Sequence, residues 1–113
     1  MADQSSDILR GTLDLLVLRA LTWGSAHGYG IARWIEFATG DVLGVGEGTL
    51  YPALHRLEEK GWVVSEWGVS ENNRRAKYYT LTATGRAQLR TEMASWKRYA
   101  AAVSAALSAP ALP

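Results

Sequence analysis

Residues 48–60, Gly48-Thr-Leu-Tyr-Pro-Ala-Leu-His-Arg-Leu-Glu-Glu-Lys60, carry two patterns at once. Leu50, Ala53, Leu54 and Leu57 recur at helical spacing, so a short helix over 49–60 buries one face against a core. Thr49, Tyr51, Pro52, His55 and Arg56 fall elsewhere on it, and most are hydrogen-bond donors or flat contact surfaces. On this reading Pro52 lies in the first turn, where its missing N–H costs no internal bond. Gly61 follows as the left-handed stop. Gly44, Gly46 and Gly48 mark the loop leading in.

Moving C-terminally, Trp62–Trp67 reads as a strand, Gly68–Asn73 as turn formers, and Ala76–Leu81 as the returning strand. Arg74, Arg75 and Lys77 cluster around this turn. The net charge of the whole chain is only +1, but its distribution is uneven. Between Arg74 and Arg98 the bases Arg74, Arg75, Lys77, Arg86, Arg90, Lys97 and Arg98 face a single acid, Glu92. Phosphate affinity depends on such local clusters rather than on the sum. A small helix with a polar outer face beside a basic hairpin is the layout of a winged-helix DNA reader.

Moving N-terminally, the spacing predicts a helix over Gly28–Thr39 with Ile31, Trp34, Ile35 and Ala38 on one face and Gly40 as its stop. An earlier helix over Leu9–Thr22 is apolar nearly all round, so it packs on its own core and on another subunit. Residues 1–8 read as a flexible tail. Thr82 or Thr84 caps a last helix running to Leu107, and 108–113 form a second tail. In that helix Leu89, Met93, Trp96, Ala100, Val103 and Leu107 step by four and three, the a/d seam of a helical coil. The expected organisation is a mainly α chain with a small β-hairpin: a winged helix-turn-helix over 9–82 and a dimerisation helix over 83–107.

Composition narrows the function classes. At 113 residues and 48% apolar content the chain forms one globular domain, or one domain plus an appendage. No cysteine is present, which removes disulfides and thiol chemistry and suits a reducing cytoplasm. No apolar run has the length to cross a bilayer, and the polar, acidic N-terminus is unlike a signal peptide. His27 and His55, far apart and without a second ligand nearby, predict no metal site. The glycines at 44, 46 and 48 lack the spacing and lysine of a phosphate loop. No nucleophile–base grouping is visible, so no enzyme activity and no cofactor are expected.

Each candidate has a plainer alternative. Residues 49–60 can be an ordinary amphipathic surface helix, but the basic hairpin beside them argues against that. The cations at the turn can be a solvated loop, but three without an intervening carboxylate favour phosphate. Trp96 on the seam can be a packed interface aromatic or the wall of a site for a planar apolar ligand. Glu58 and Glu59 read as a solvated face that limits how deeply the helix sits on DNA. Across the whole chain the rival to a DNA reader is a winged-helix module that binds only protein.

Four stretches make the chain resemble a PadR-type transcriptional regulator of the short, single-domain kind. They are Leu9-Arg-Gly-Thr-Leu-Asp-Leu-Leu-Val-Leu18, His27-Gly-Tyr-Gly-Ile31, Gly48-Thr-Leu-Tyr-Pro-Ala-Leu-His-Arg-Leu-Glu58 and Arg75-Ala-Lys-Tyr-Tyr-Thr-Leu-Thr-Ala-Thr-Gly85. The resemblance covers 9–107. It implies a homodimer repressing transcription at a palindromic operator, its C-terminal helix packed on the partner's first helix through Leu13, Leu16, Val17 and the seam. It matches Thr49 and Tyr51 to recognition-helix positions, Arg74, Arg75 and Lys77 to the basic wing, and Tyr29 to a place near the DNA backbone. Trp96 matches a tryptophan that lines a dimer-interface pore in some multidrug-binding relatives. Two departures stand out. Ala76 interrupts the basic run, and the longer effector domain of phenolic-acid-sensing members is not expected here.

Overall fold

The computed structural model describes residues 10–113. The expected tail over 1–8, and Leu9, lie outside them. Helix α1 spans Arg10–Ala20 and tightens into a 3-10 turn over Leu21–Trp23. A two-residue strand β1, Ala26–His27, leads into helix α2, Gly28–Ala38. Helix α3 covers Glu47–Glu59, strand β2 Val63–Val69, strand β3 Arg75–Leu81 and helix α4 Ala83–Ser108. The sheet is antiparallel in the order β1-β3-β2, with Val63 opposite Leu81 and Val69 opposite Arg75. Ala26 and His27 pair with Tyr79 and Tyr78, so the expected two-stranded ribbon is a three-stranded sheet.

One core joins these elements. Leu13, Val17, Leu18 and Leu21 meet Ile31 and Ile35, the α3 face of Leu50, Ala53, Leu54 and Leu57, and Val63, Tyr79, Leu81 and Leu89. All four apolar positions predicted on α3 are buried. On α2, Ile31 and Ile35 are buried and Trp34 packs against the core, whereas Ala38 is exposed. Leu13 and Val17, expected at a subunit interface, are used up inside this core, 1% and 0% exposed. Leu89 is likewise taken by the chain itself, and of the three α1 positions only Leu16 keeps surface for a partner.

Helix α3 begins two residues earlier than its pattern predicts. Gly46, with extended backbone, is its N-cap, and Gly48 joins the first turn. Pro52 therefore sits in the second turn rather than the first, and the Gly48 carbonyl loses its intrahelical donor. Gly48 is exposed, so water can serve that carbonyl. At the other end Gly61 is left-handed at φ 77°. There Gly61 N–H donates to the Glu58 carbonyl and Trp62 N–H to that of Leu57, a Schellman ending that turns the chain into β2.

Thr82 caps α4, its hydroxyl oxygen accepting from Gly85 N–H at 3.0 Å. The same hydroxyl donates to the Gly61 carbonyl at 2.8 Å, tying α4 to the end of α3. Beyond Met93 the helix leaves the core, and the molecule measures 63 × 36 × 21 Å.

Candidate nucleic-acid interface

The face of the sheet that enters the core continues outward as the inner face of the wing. Side chains alternate along a strand, so Tyr79 and Leu81 share a face with Arg75 and Lys77, and Val63 with Ser65 and Trp67. Near the helices these positions are apolar and buried. Beyond them they become Trp67, Arg75 and Lys77, turned toward α3. Between wing and helix lies a cleft of about 770 Å³.

This cleft gathers most of the predicted site. Tyr29 from α2, Tyr51 and His55 from α3, and Arg74, Arg75 and Lys77 from the wing all line it. Pro52 is exposed and Thr49 half-buried on α3, and neither is part of the cleft wall. Arg56 is turned the other way. Its Nη2 lies 2.8 Å from Asp14 Oδ1, in an ion pair that joins α3 to α1 with Asp14 buried. Arg56 thus holds α3 on the core and does not face the cleft.

The cleft also holds residues that sequence reasoning passed over. His27 caps α2, its Nδ1 accepting from Gly30 N–H 3.0 Å away. Its ring lies 5.3 Å from that of Tyr78. Trp67, 57% exposed, carries the Arg75 guanidinium 4.6 Å and the Lys77 ammonium 5.9 Å from its ring centroid. Glu47 and Glu71 add negative charge to the cleft wall. Glu47 suits the helix N-terminus electrostatically, and both carboxylates oppose indiscriminate phosphate binding.

Tyr51 lies across the start of α2, where a Cβ on Gly28 would come 2.7 Å from its hydroxyl. Glu58 accepts from the Ser65 hydroxyl at 2.6 Å, so it braces helix to sheet instead of forming the solvated face expected of it. Burial, with Glu58 and Tyr51 close by, raises the Tyr79 phenol above its ordinary value and keeps it protonated.

A second concavity, about 350 Å³, lies between α1 and α4. Thr12 and Leu15 wall one side, and Glu92, Trp96 and Tyr99 the other. The Trp96 and Tyr99 rings are 6.1 Å apart. Burial, aided by nearby Asp14, pushes the Glu92 carboxyl above the usual range, while a Gln88 hydrogen bond and Lys60 act against it. Along the outer half of α4, Trp96 and Val103 are nearly half exposed and Leu107 almost fully, with Ala100 half-buried between them.

A model of the transcriptional regulator PadR-like family matches residues 17–91. The chain belongs to that family. An uncharacterised protein of Lysinibacillus sphaericus is 34% identical over 91 residues, 80% of this chain and 84% of that one. Among solved structures, a transcriptional regulator from Clostridium thermocellum superimposes with a TM-score of 0.77 at 31% identity, covering 87% of this chain and 95% of the other. A PadR family regulator from Eggerthella lenta gives 0.75 at 33% identity, over 89% and 86%. The architecture is therefore the PadR winged helix with a long C-terminal helix. The family's regulators bind DNA as transcription factors. Among the described residues no helix is long and apolar enough to cross a membrane.

Proposed function

We propose that this PadR-like chain is a cytoplasmic, homodimeric repressor that binds a palindromic operator and is released by a small planar, apolar effector. The observation that carries the DNA reading is the cleft in which Tyr29, Tyr51 and His55 face Arg74, Arg75 and Lys77. A helix fits the major groove and reads base edges from its N-terminal part, where Thr49 and Tyr51 lie. The wing cations engage phosphate or the minor groove and set a salt-dependent affinity. The dimer reading rests on the exposed seam from Trp96 to Leu107, an apolar stripe that one copy leaves open to water. Two copies joined there would offer two reading heads to half-sites about 34 Å apart. The effector reading rests on the concavity beside Trp96 and Tyr99, which adjoins that seam. A ligand there acts only by binding one head spacing better than the other.

A gel-shift titration with the DNA upstream of the chain's own gene tests the proposal. A shift that survives excess scrambled duplex is the expected result. A shift indifferent to sequence removes specific repression, and no shift at all leaves the protein-binding module as the better account.

A further inference from the structure

Trp67 is an exposed aromatic of the wing with no part in the DNA contacts proposed above. It lies on the inner face of β2, directly opposite Lys77, with Arg75 two pairs further out on the same face. More than half of its surface is exposed, so core packing does not explain a tryptophan there. Its ring holds two cations at once, Arg75 at 4.6 Å and Lys77 at 5.9 Å. Among the described residues neither cation has a carboxylate partner, and the indole is the group that restrains both. Long basic side chains lose rotamer entropy when they settle on phosphate. A rigid aromatic face that already holds them lowers that cost.

We propose that Trp67 is a positioning residue for DNA binding, an aromatic platform that aims Arg75 and Lys77 into the cleft toward α3. The inference rests on the DNA reading of that cleft. It makes the indole face, not apolar bulk, the feature required at position 67.

The test is fluorescence anisotropy at low salt on the upstream duplex, using the full chain and four variants. These are Trp67→Phe, Trp67→Leu, the pair Arg75→Ala with Lys77→Ala, and that pair combined with Trp67→Leu. Ordering two long side chains in advance corresponds to about a tenfold change in affinity. Trp67→Leu is expected to bind about tenfold more weakly than the parent, and Trp67→Phe within about threefold of it. Trp67→Leu should cost nothing further once both cations are gone. Melting curves should place every variant in the folded state at the temperature of the assay. Parental affinity in Trp67→Leu, equal losses for Phe and Leu, or the same loss in the background lacking both cations would each overturn the inference. A parent that binds no duplex fails differently: it removes the DNA reading itself and the platform with it.

Discussion

The Tyr51 phenol reaches the cleft because residue 28 has no side chain. A methyl group at Gly28 would meet the Tyr51 hydroxyl at 2.7 Å and its ring at 3.0 Å. The obstructed atoms are the far end of one side chain, so Gly28→Ala should leave stability within about 1 kcal/mol of the parent. It should weaken binding to the upstream duplex about tenfold by displacing the reader, a loss on the scale of one good base contact. Melting curves and anisotropy titrations together check this. Glu92 gives a second prediction. Its folded pKa is raised, so the native state holds the proton more tightly than the unfolded chain. Stability therefore falls as pH rises from the ordinary carboxylate value through the raised one, and the full penalty is present above the raised one. Glu92→Gln should melt higher than the parent near pH 7, with the gain vanishing toward about pH 4. At this scale the α3 core positions were legible, because helical spacing alone decides them. Arg56 was not. Its direction depends on Asp14, forty-two residues earlier, and no local pattern reveals that partner.

Helix α4 is fixed at its root by a close approach of backbone to backbone. A Cβ on Gly85 would overlap the Trp62 carbonyl oxygen, at 2.0 Å, and neither main chain can give way. Gly85→Ala should cost about 3 kcal/mol, read as a lower denaturation midpoint, the scale of overpacking a tight site. The order of the four helices and of β2 and β3, a threonine cap at Thr82 or Thr84 and the Gly61 ending were visible in the sequence, since caps and stops have residue signatures. The strand at Ala26–His27 was not, because two residues carry no period and its pairing with Tyr79 and Tyr78 is purely tertiary. The start of α3 was misjudged because Gly46 and Gly48 both read as loop, whereas a glycine can cap and another can be helical. That shift moved Pro52 into the helix interior.

At the scale of the whole molecule, a small winged-helix head carries a helix that outgrows it. With 26 residues α4 is roughly 39 Å long, and its outer half has no cover within one chain. The stripe of Trp96, Val103 and Leu107 that α4 leaves exposed follows the heptad spacing legible in the sequence. That Leu89, Leu13 and Val17 are taken by the chain's own core was not legible, because they satisfy the same apolar pattern. The cleft was only half legible: charge clustering announced Arg74, Arg75 and Lys77, while Trp67, His27 and Glu47 join it through sheet register and helix placement. The proposed function divides labour across this cleft, with α3 reading bases and the wing holding phosphate. Anisotropy titrations of the parent, Tyr51→Ala and Arg75→Ala against the upstream and a scrambled duplex, at several salt concentrations, test it most directly. Tyr51→Ala should lose about tenfold on the upstream duplex alone and keep the parent's salt slope. Arg75→Ala should weaken both duplexes alike and lower the slope by about one per chain. Two variants that behave identically, or a parent that cannot tell the duplexes apart, would contradict it.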